Sequence, residues 1–328
     1  MLSNFKFYQR EIIMILSVSR RTDVPNYYSE WFIKRIEEGF LYVRNPINAH
    51  QISRIELSPS VVDCIVFWTK NPENMLDKLD ALEKYHYYFQ FTITGYGVDV
   101  EPNIPNKREK IIPTFCKLSE KLGKERVIWR YDPIFLNEKY TLEYHLKAFE
   151  EIAEKLSGYT EKVIISFVDL YDKTIRNMAG LNITSVQEKQ MVVIAQEMGR
   201  IAKKNHLKIE SCAEKIDLQK YGIAHGSCID LKLIERITGG SLCVAKDKNQ
   251  RDECGCIQSI EVGTYNTCQN GCRYCYANFN EQRVACSVQQ YDVNSPLLCG
   301  EIGEKDKVTE RKVKSLLDMQ MSLWKNNE

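Results

Sequence analysis

The chain has 328 residues, 44% of them hydrophobic and 27% charged, with 45 Lys and Arg against 44 Asp and Glu, a formal charge of +1. This composition belongs to a globular protein and excludes the disordered and fibrous classes. The balanced charge argues against a general nucleic-acid coat or a polybasic membrane binder, and no run of about 18 apolar residues is present to span a membrane.

In chain order, the short apolar patch Ile12–Val18 comes first. It lacks a small-residue cleavage site, so it reads as a first core strand rather than an export signal, and a cytoplasmic location is expected. Apolar runs follow at 62–68, 88–94, 127–131, 163–170 and 207–211, each rich in Ile, Val, Phe, Tyr or Trp. Near-continuous apolar runs of this length fit strands buried on both faces of a parallel sheet. Helical stripes lie between them: Met75, Leu76, Leu79 and Leu82; Ile111, Phe115 and Leu118; Leu142, His145, Leu146, Phe149 and Ile152; Val193, Ile194, Met198 and Ile201. Strand and helix alternating with this regularity predict a parallel β/α fold. Six units in about 215 residues suit a barrel or partial barrel, because such barrels run near ~250 residues. An open doubly wound sheet is the competitor, but no GxGxxG follows the first strand.

From Cys212 onward the character changes. Ten of the twelve cysteines lie beyond residue 200, in a large chain whose start reads as a strand. Clustered thiols of this kind are more often metal ligands or redox groups than a disulfide scaffold. The expected organisation is a barrel core over 1–215, a cysteine-rich region over 216–303 packed on it, and a polar surface helix over 304–328. A further strand is expected within 259–265.

The sharpest motif is Cys268-Gln-Asn-Gly-Cys272-Arg-Tyr-Cys275-Tyr-Ala. Three soft thiolates on one loop suit an iron–sulfur cluster or zinc, and they leave one coordination position open. The triplet resembles the CxxxCx-aromatic-C signature of radical S-adenosylmethionine enzymes, and its wording is similar to the spore photoproduct lyase branch. That resemblance implies a 4Fe–4S cluster held by Cys268, Cys272 and Cys275, with S-adenosylmethionine on the open iron. Tyr274 fills the aromatic slot and would flank the nucleoside. Asn266 and Glu210 are further candidates for cofactor binding. The superfamily places its triplet after the first strand, so here the resemblance implies a permuted barrel, with the strand in 259–265 preceding the cluster loop. It also implies a reductant such as ferredoxin or flavodoxin. The reacting partner would be a small-molecule or macromolecular substrate, nucleic acid included.

The whole chain resembles an uncharacterised bacterial family, domain of unknown function 1848. The carrying segments are Ser19 to Pro25, Val66 to Pro72, Trp129 to Pro133, Lys248 to Arg251 and Cys254 to Ala277. This resemblance implies no established reaction.

Cys212, Cys228, Cys254 and Cys256 form a second candidate set, the intervening Gly255 allowing the CxC pair an unusual backbone angle. They would hold an auxiliary 4Fe–4S cluster or zinc; the competing reading makes Cys212 and Cys228 small buried hydrophobes. In a barrel the strands' carboxyl ends face the active site. Arg20, Arg21, Asp23, Lys70, Arg130, Asp132 and Asp169 fall there and are the catalytic candidates. The competing reading makes them ion pairs that tie down loops. Among the five histidines, His145 lies in a helical stripe and reads as core, and His225 is the one near a thiol. The expected function is that of an iron–sulfur protein of radical S-adenosylmethionine type. The alternative is a non-catalytic zinc- or iron–sulfur-binding protein serving as platform, electron carrier or sensor.

Overall fold

The computed structural model describes residues 14–312 together with 315, 317 and 318. The chain opens with β1 (Ile15–Val18), helices α1 (Val24–Tyr27) and α2 (Ser29–Glu38), and a hairpin of β2 (Phe40–Arg44) and β3 (Gln51–Glu56). Then come β4 (Cys64–Thr69), β5 (Tyr87–Thr92), α3 (Ile112–Leu122), β6 (Val127–Ile134), α4 (Leu142–Leu156) and β7 (Lys162–Phe167). Helices α5 (Asp172–Asn177) and α6 (Glu188–Lys204) lead to β8 (Lys208–Cys212) and β9 (Ala224–Gly226). The last third holds α7 (Leu231–Thr238), β10 (Ser241–Leu242), β11 (Ile260–Glu261), α8 (Glu281–Gln289), β12 (Lys307–Glu310) and β13 (Leu317–Asp318).

Eight strands make one parallel sheet in the order β11-β1-β4-β5-β6-β7-β8-β9. Alternate residues of a strand face opposite sides, and the sequence supplies apolar groups to both. Leu16, Phe67, Phe89, Trp129 and Ile165 pack outward beneath Phe115 of α3, Phe149 of α4 and Ile194 of α6. The Trp129 ring stacks on Phe149 with centroids 4.8 Å apart. Burying each such side chain contributes about 1.5–3 kcal/mol. The inward set, Ile15, Val66, Tyr88, Ile128 and Ile164, meets Ile229, Leu233, Ile234 and Ile257.

This inner contact shows that the sheet curls. Cys228 follows β9 at one edge, yet its carbonyl accepts hydrogen bonds from Tyr88 Oη (2.7 Å) and Gln90 Nε2 (2.8 Å) in mid-sheet β5. Ile257, which leads to β11 at the other edge, donates its N–H to the Ile229 carbonyl at 3.3 Å. The two edge strands do not pair with each other, so the barrel is partial and the segment around residues 228–257 occupies the gap. Helix α7 closes the end where strands begin: Asp230 and Arg236 pair with Lys162 (2.8 Å) and Glu161 (3.0 Å) at the start of β7. The strand expected within 259–265 is present as β11, which lies beside β1 and leads into the cysteine loop.

Three elements differ from expectation. The stripe over residues 75–82 forms two 3-10 turns, Glu73–Met75 and Leu79–Leu82, which bury Met75, Leu79 and Leu82 at a tighter pitch. The β2–β3 hairpin was not expected; only one residue of β2 and two of β3 are buried. The terminal helix expected over 304–328 is corrected in its described part. Lys307–Glu310 is instead a strand, β12, paired in parallel with β3, and Leu317–Asp318 pairs with β10. Val308 and Thr309 are β-branched and favour that extended form; the remaining residues of that segment lie outside the described ones. Among the described residues, no helix is long and apolar enough to cross a membrane.

Candidate functional site

A parallel sheet delivers every strand's carboxyl end to one rim, and the polar candidates gather there. Asp23, following β1, is the knot that ties the rim together. Its Oδ1 accepts from the Asn26 N–H (3.2 Å), as the cap of α1, and from Thr69 Oγ1 (2.7 Å) after β4. Its Oδ2 accepts from the Lys70 N–H (2.8 Å) and from Asn270 Nδ2 (3.0 Å) inside the cysteine loop. Burial pushes the Asp23 pKa up, against the hydrogen bonds that lower it. Three loops far apart in sequence therefore meet on one carboxylate, and Asp23 acts as a tie.

The cysteine loop is anchored along its whole length. Tyr28 Oη donates to the Thr267 carbonyl (2.7 Å), Asn103 Nδ2 to the Gln269 carbonyl (2.7 Å) and the Arg273 N–H to the Val100 carbonyl (2.9 Å). Asn278 Nδ2 donates to the Cys268 carbonyl (2.7 Å), and Asn177 Nδ2 donates to the Cys275 carbonyl (3.2 Å). Gly271 sits at φ +67°, and a Cβ there would meet Pro102 at 3.0 Å. Cys268, Cys272 and Cys275 are half-buried on this loop. Burial raises all three thiols, Cys272 to about 12; Cys275 and Cys272 further raise Cys268, and Cys275 further raises Cys272. The Ala277 N–H points at Cys275 Sγ, 3.3 Å away.

Tyr274 is fixed through its hydroxyl, which donates to Glu101. Glu101 is also bound by Lys70 (2.8 Å), Lys107 (2.5 Å) and Thr94 (3.0 Å). Burial works to raise this carboxyl, but the two lysines hold it down at about 2. The Lys70 ammonium lies 5.4 Å from the Tyr274 ring centre, and its charge also lowers the Cys272 thiol.

The second cysteine set converges inside the barrel. Cys212 and Cys228 Sγ are 3.2 Å apart, and Cys256 contacts both Cys228 and Cys254. Arg130 places Nη1 at 2.8 Å from Cys228 Sγ and grips Asp132 with its other nitrogens (3.0 and 2.5 Å). Hydrogen bonds from Cys212 and Cys256 hold the Cys228 thiol well below its ordinary value, with Arg130 and Arg20 assisting against burial. Arg20 lies 5.0 Å over Trp68, and one of its Nη atoms is buried with no hydrogen-bond partner.

The other candidates are dispersed. Arg21 stacks on Tyr265, and Asp169 pairs with Arg251. Asn266 sits at φ +59° and closes the loop by accepting from the Phe279 N–H at 2.5 Å. Glu210 is drawn away from the loop into an ion pair with Lys162 (3.0 Å), near the strand starts. Glu214, after β8, accepts from the Phe167 N–H (2.8 Å), and burial brings it up to about 7. His145 is wholly buried and bonded to Tyr131 and the Phe135 carbonyl (both 2.9 Å), a core residue as expected; His225 is exposed. Glu101, Lys107 and Asn270 were missed, because nothing local in the sequence marks a loop carboxylate or a spacer amide as a tie.

The donor set of the triplet fits an iron–sulfur cluster in kind, with three soft ligands on one held loop. Asn278 Oδ1 is buried beside them without a partner. As the side chains stand, no group of three or more His, Cys, Asp and Glu among the described residues is arranged around a single metal ion.

Among solved structures, a similar one is a "putative alpha-L-fucosidase" from Bacteroides thetaiotaomicron, at 11% identity and a TM-score of 0.25, over 63% of this chain and 77% of that one. A score that low carries no argument. No curated protein matches the chain. The family model described as Domain of unknown function (DUF1848) matches residues 15–277, from β1 through the cysteine loop, and the chain belongs to that family.

Proposed function

We propose that this chain is an iron–sulfur protein of radical S-adenosylmethionine type, with Cys268, Cys272 and Cys275 holding a 4Fe–4S cluster at the rim of the partial barrel. The observation that carries the reading is a loop of three thiols, anchored at both ends, at the carboxyl edge of β11. When bound, such a cluster with S-adenosylmethionine supplies reductive cleavage to a 5′-deoxyadenosyl radical. This chain's own residues would hold the loop and its surroundings. Asp23 ties the loop to β1 and β4, Glu101 fixes Tyr274, and Lys70 places positive charge beside Cys272. Glu214 accepts from the Phe167 N–H (2.8 Å) at the same rim, a carboxyl that burial raises. A cytoplasmic setting and a reductant such as ferredoxin or flavodoxin belong to this reading, as does a second centre at Cys212, Cys228, Cys254 and Cys256.

Anaerobic reconstitution with iron and sulfide, followed by dithionite and S-adenosylmethionine, should yield 5′-deoxyadenosine. A fully reconstituted sample that forms none would remove the radical chemistry. A second reading, a non-catalytic metal-binding protein, is favoured by the interior sulfurs, because the 3.2 Å contact of Cys212 and Cys228 is nearer to single-ion than to cluster spacing. Zinc without iron in anaerobically purified protein would support it.

A further inference from the structure

Two aromatic rings bracket the cysteine triplet, and each is flanked by two cations. Tyr265, three residues before Cys268, has the Arg21 guanidinium at 4.4 Å and the Lys173 ammonium at 5.3 Å from its ring centre. Phe279, four residues after Cys275, has Arg176 at 4.1 Å and Arg283 at 4.4 Å. None of the four cations has a carboxylate within ion-pair distance among the described residues. Asp172 and Glu281, the acidic residues in the first turns of α5 and α8, leave the group net positive.

Cations are ordinarily spread over a surface or paired. Here four converge on the mouth of one loop, in a chain of net charge +1. A guanidinium lying on a ring face keeps its N–H edges free, and those edges match phosphate oxygens. Lys173 and Arg176 are three apart on α5, so the two nests are reached from neighbouring positions of one helix, whose Cβ atoms lie about 5–6 Å apart. One phosphate cannot satisfy both nests well, whereas two linked phosphates can. We propose that this rim binds a substrate carrying two or more phosphate groups, with Arg21, Lys173, Arg176 and Arg283 as its anion-binding residues.

The proposal rests on the rim being where substrate enters, as in the function above, but not on the cluster. Its test therefore uses binding alone, on full-length protein purified anaerobically with whatever metal it carries. The probes are inorganic tripolyphosphate, a fluorescein-labelled single-stranded oligonucleotide, and sulfate as a single-anion control. Tripolyphosphate should bind, and its affinity should fall at least tenfold in the double variant Arg176→Glu, Arg283→Glu. Lys173→Ala should weaken binding independently. Lys204→Glu, on α6 and already paired with Glu150 and Glu154, should stay within twofold of wild type. Binding of the oligonucleotide as well points to a polymer; tripolyphosphate alone points to a small phosphorylated molecule. The proposal is overturned if neither phosphate probe binds at low salt, if the charge reversals leave affinity unchanged, or if sulfate competes as well as tripolyphosphate. Iron content and 5′-deoxyadenosine formation report separately on the cluster, so one failure cannot be mistaken for the other.

Discussion

Removing the Asp23 carboxylate separates the role of a tie from that of a reacting group. Asp23→Ala leaves four donors, three of them in buried hydrogen bonds, without their acceptor: the N–H groups of Asn26 and Lys70, Asn270 Nδ2 and Thr69 Oγ1. The Thr69 hydroxyl can turn, but the other three are held by backbone or packing. At roughly 1 kcal/mol for each orphaned donor, the loss is about 3 kcal/mol, reduced somewhat because a carboxylate no longer has to be desolvated. Asp23→Asn is the sharper probe. Its oxygen can keep Asn26 and Thr69, but its amide then faces the Lys70 N–H and Asn270 Nδ2, two donors. Asn270 can flip only by giving up the bond it accepts from Tyr27 Oη (3.0 Å). The expected cost is about 2 kcal/mol, between wild type and Ala. Urea unfolding should give the order wild type, Asn, Ala. Hydrogen exchange should quicken in peptides covering 19–26, 69–74 and 266–278, while 142–167 keeps its protection. If both variants unfold within about 0.5 kcal/mol of wild type, or if 266–278 exchanges as before, the tie does not exist.

Other outcomes follow from the same geometry. Acid should destabilise the fold in two stages. His145 is held at about 4 by burial against an ordinary 6.5, so the unfolded chain takes that proton first and stability falls between those values. Glu101, held at about 2 against 4.5, gives a contribution present above 4.5 and lost as pH drops toward 2. Each is worth roughly 3 kcal/mol, and in a pH series of melting temperatures Glu101→Gln should flatten the lower stage alone. Gly271→Ala forces an L residue to φ +67° with its Cβ 3.0 Å from Pro102; a loss of about 1–3 kcal/mol is expected, and a melting curve matching wild type would contradict it. Replacing Cys268, Cys272 and Cys275 together by Ala should remove the labile sulfide that the proposed rim cluster would contribute, while leaving any metal at the interior cysteines, as read by iron, zinc and sulfide counts.

How far the sequence reached depended on burial. Strands β4 to β7 were legible because both faces are largely covered, so Cys64–Thr69 and Tyr87–Thr92 read as nearly continuous apolar runs. The hairpin and β12 were not, because half-exposed strands mix polar and apolar residues without a clean period; Lys307–Glu310 is exposed throughout. The stripe over residues 75–82 identified the inward side chains and missed the pitch, since 3-10 turns and a short helix both bring every third or fourth residue to one face. The cysteine motif and the CxC pair announced themselves through spacing. The contact of Arg130 with Cys228, 98 residues apart, could not, and neither could the grip of Glu101 on Tyr274, 173 residues apart. Both depend on how the sheet curls, which no local window contains.

The pairing of β1 with β11 has a consequence for biosynthesis. Asp23 and Asn270 are separated by 247 positions, so the rim is completed only once the last third of the chain has emerged. Loading of any inorganic group there would be a late event, after translation of the sheet it rests on. Contacts spanning so much sequence also form slowly, so the rim thiols stay unshielded until the edge of the sheet has closed.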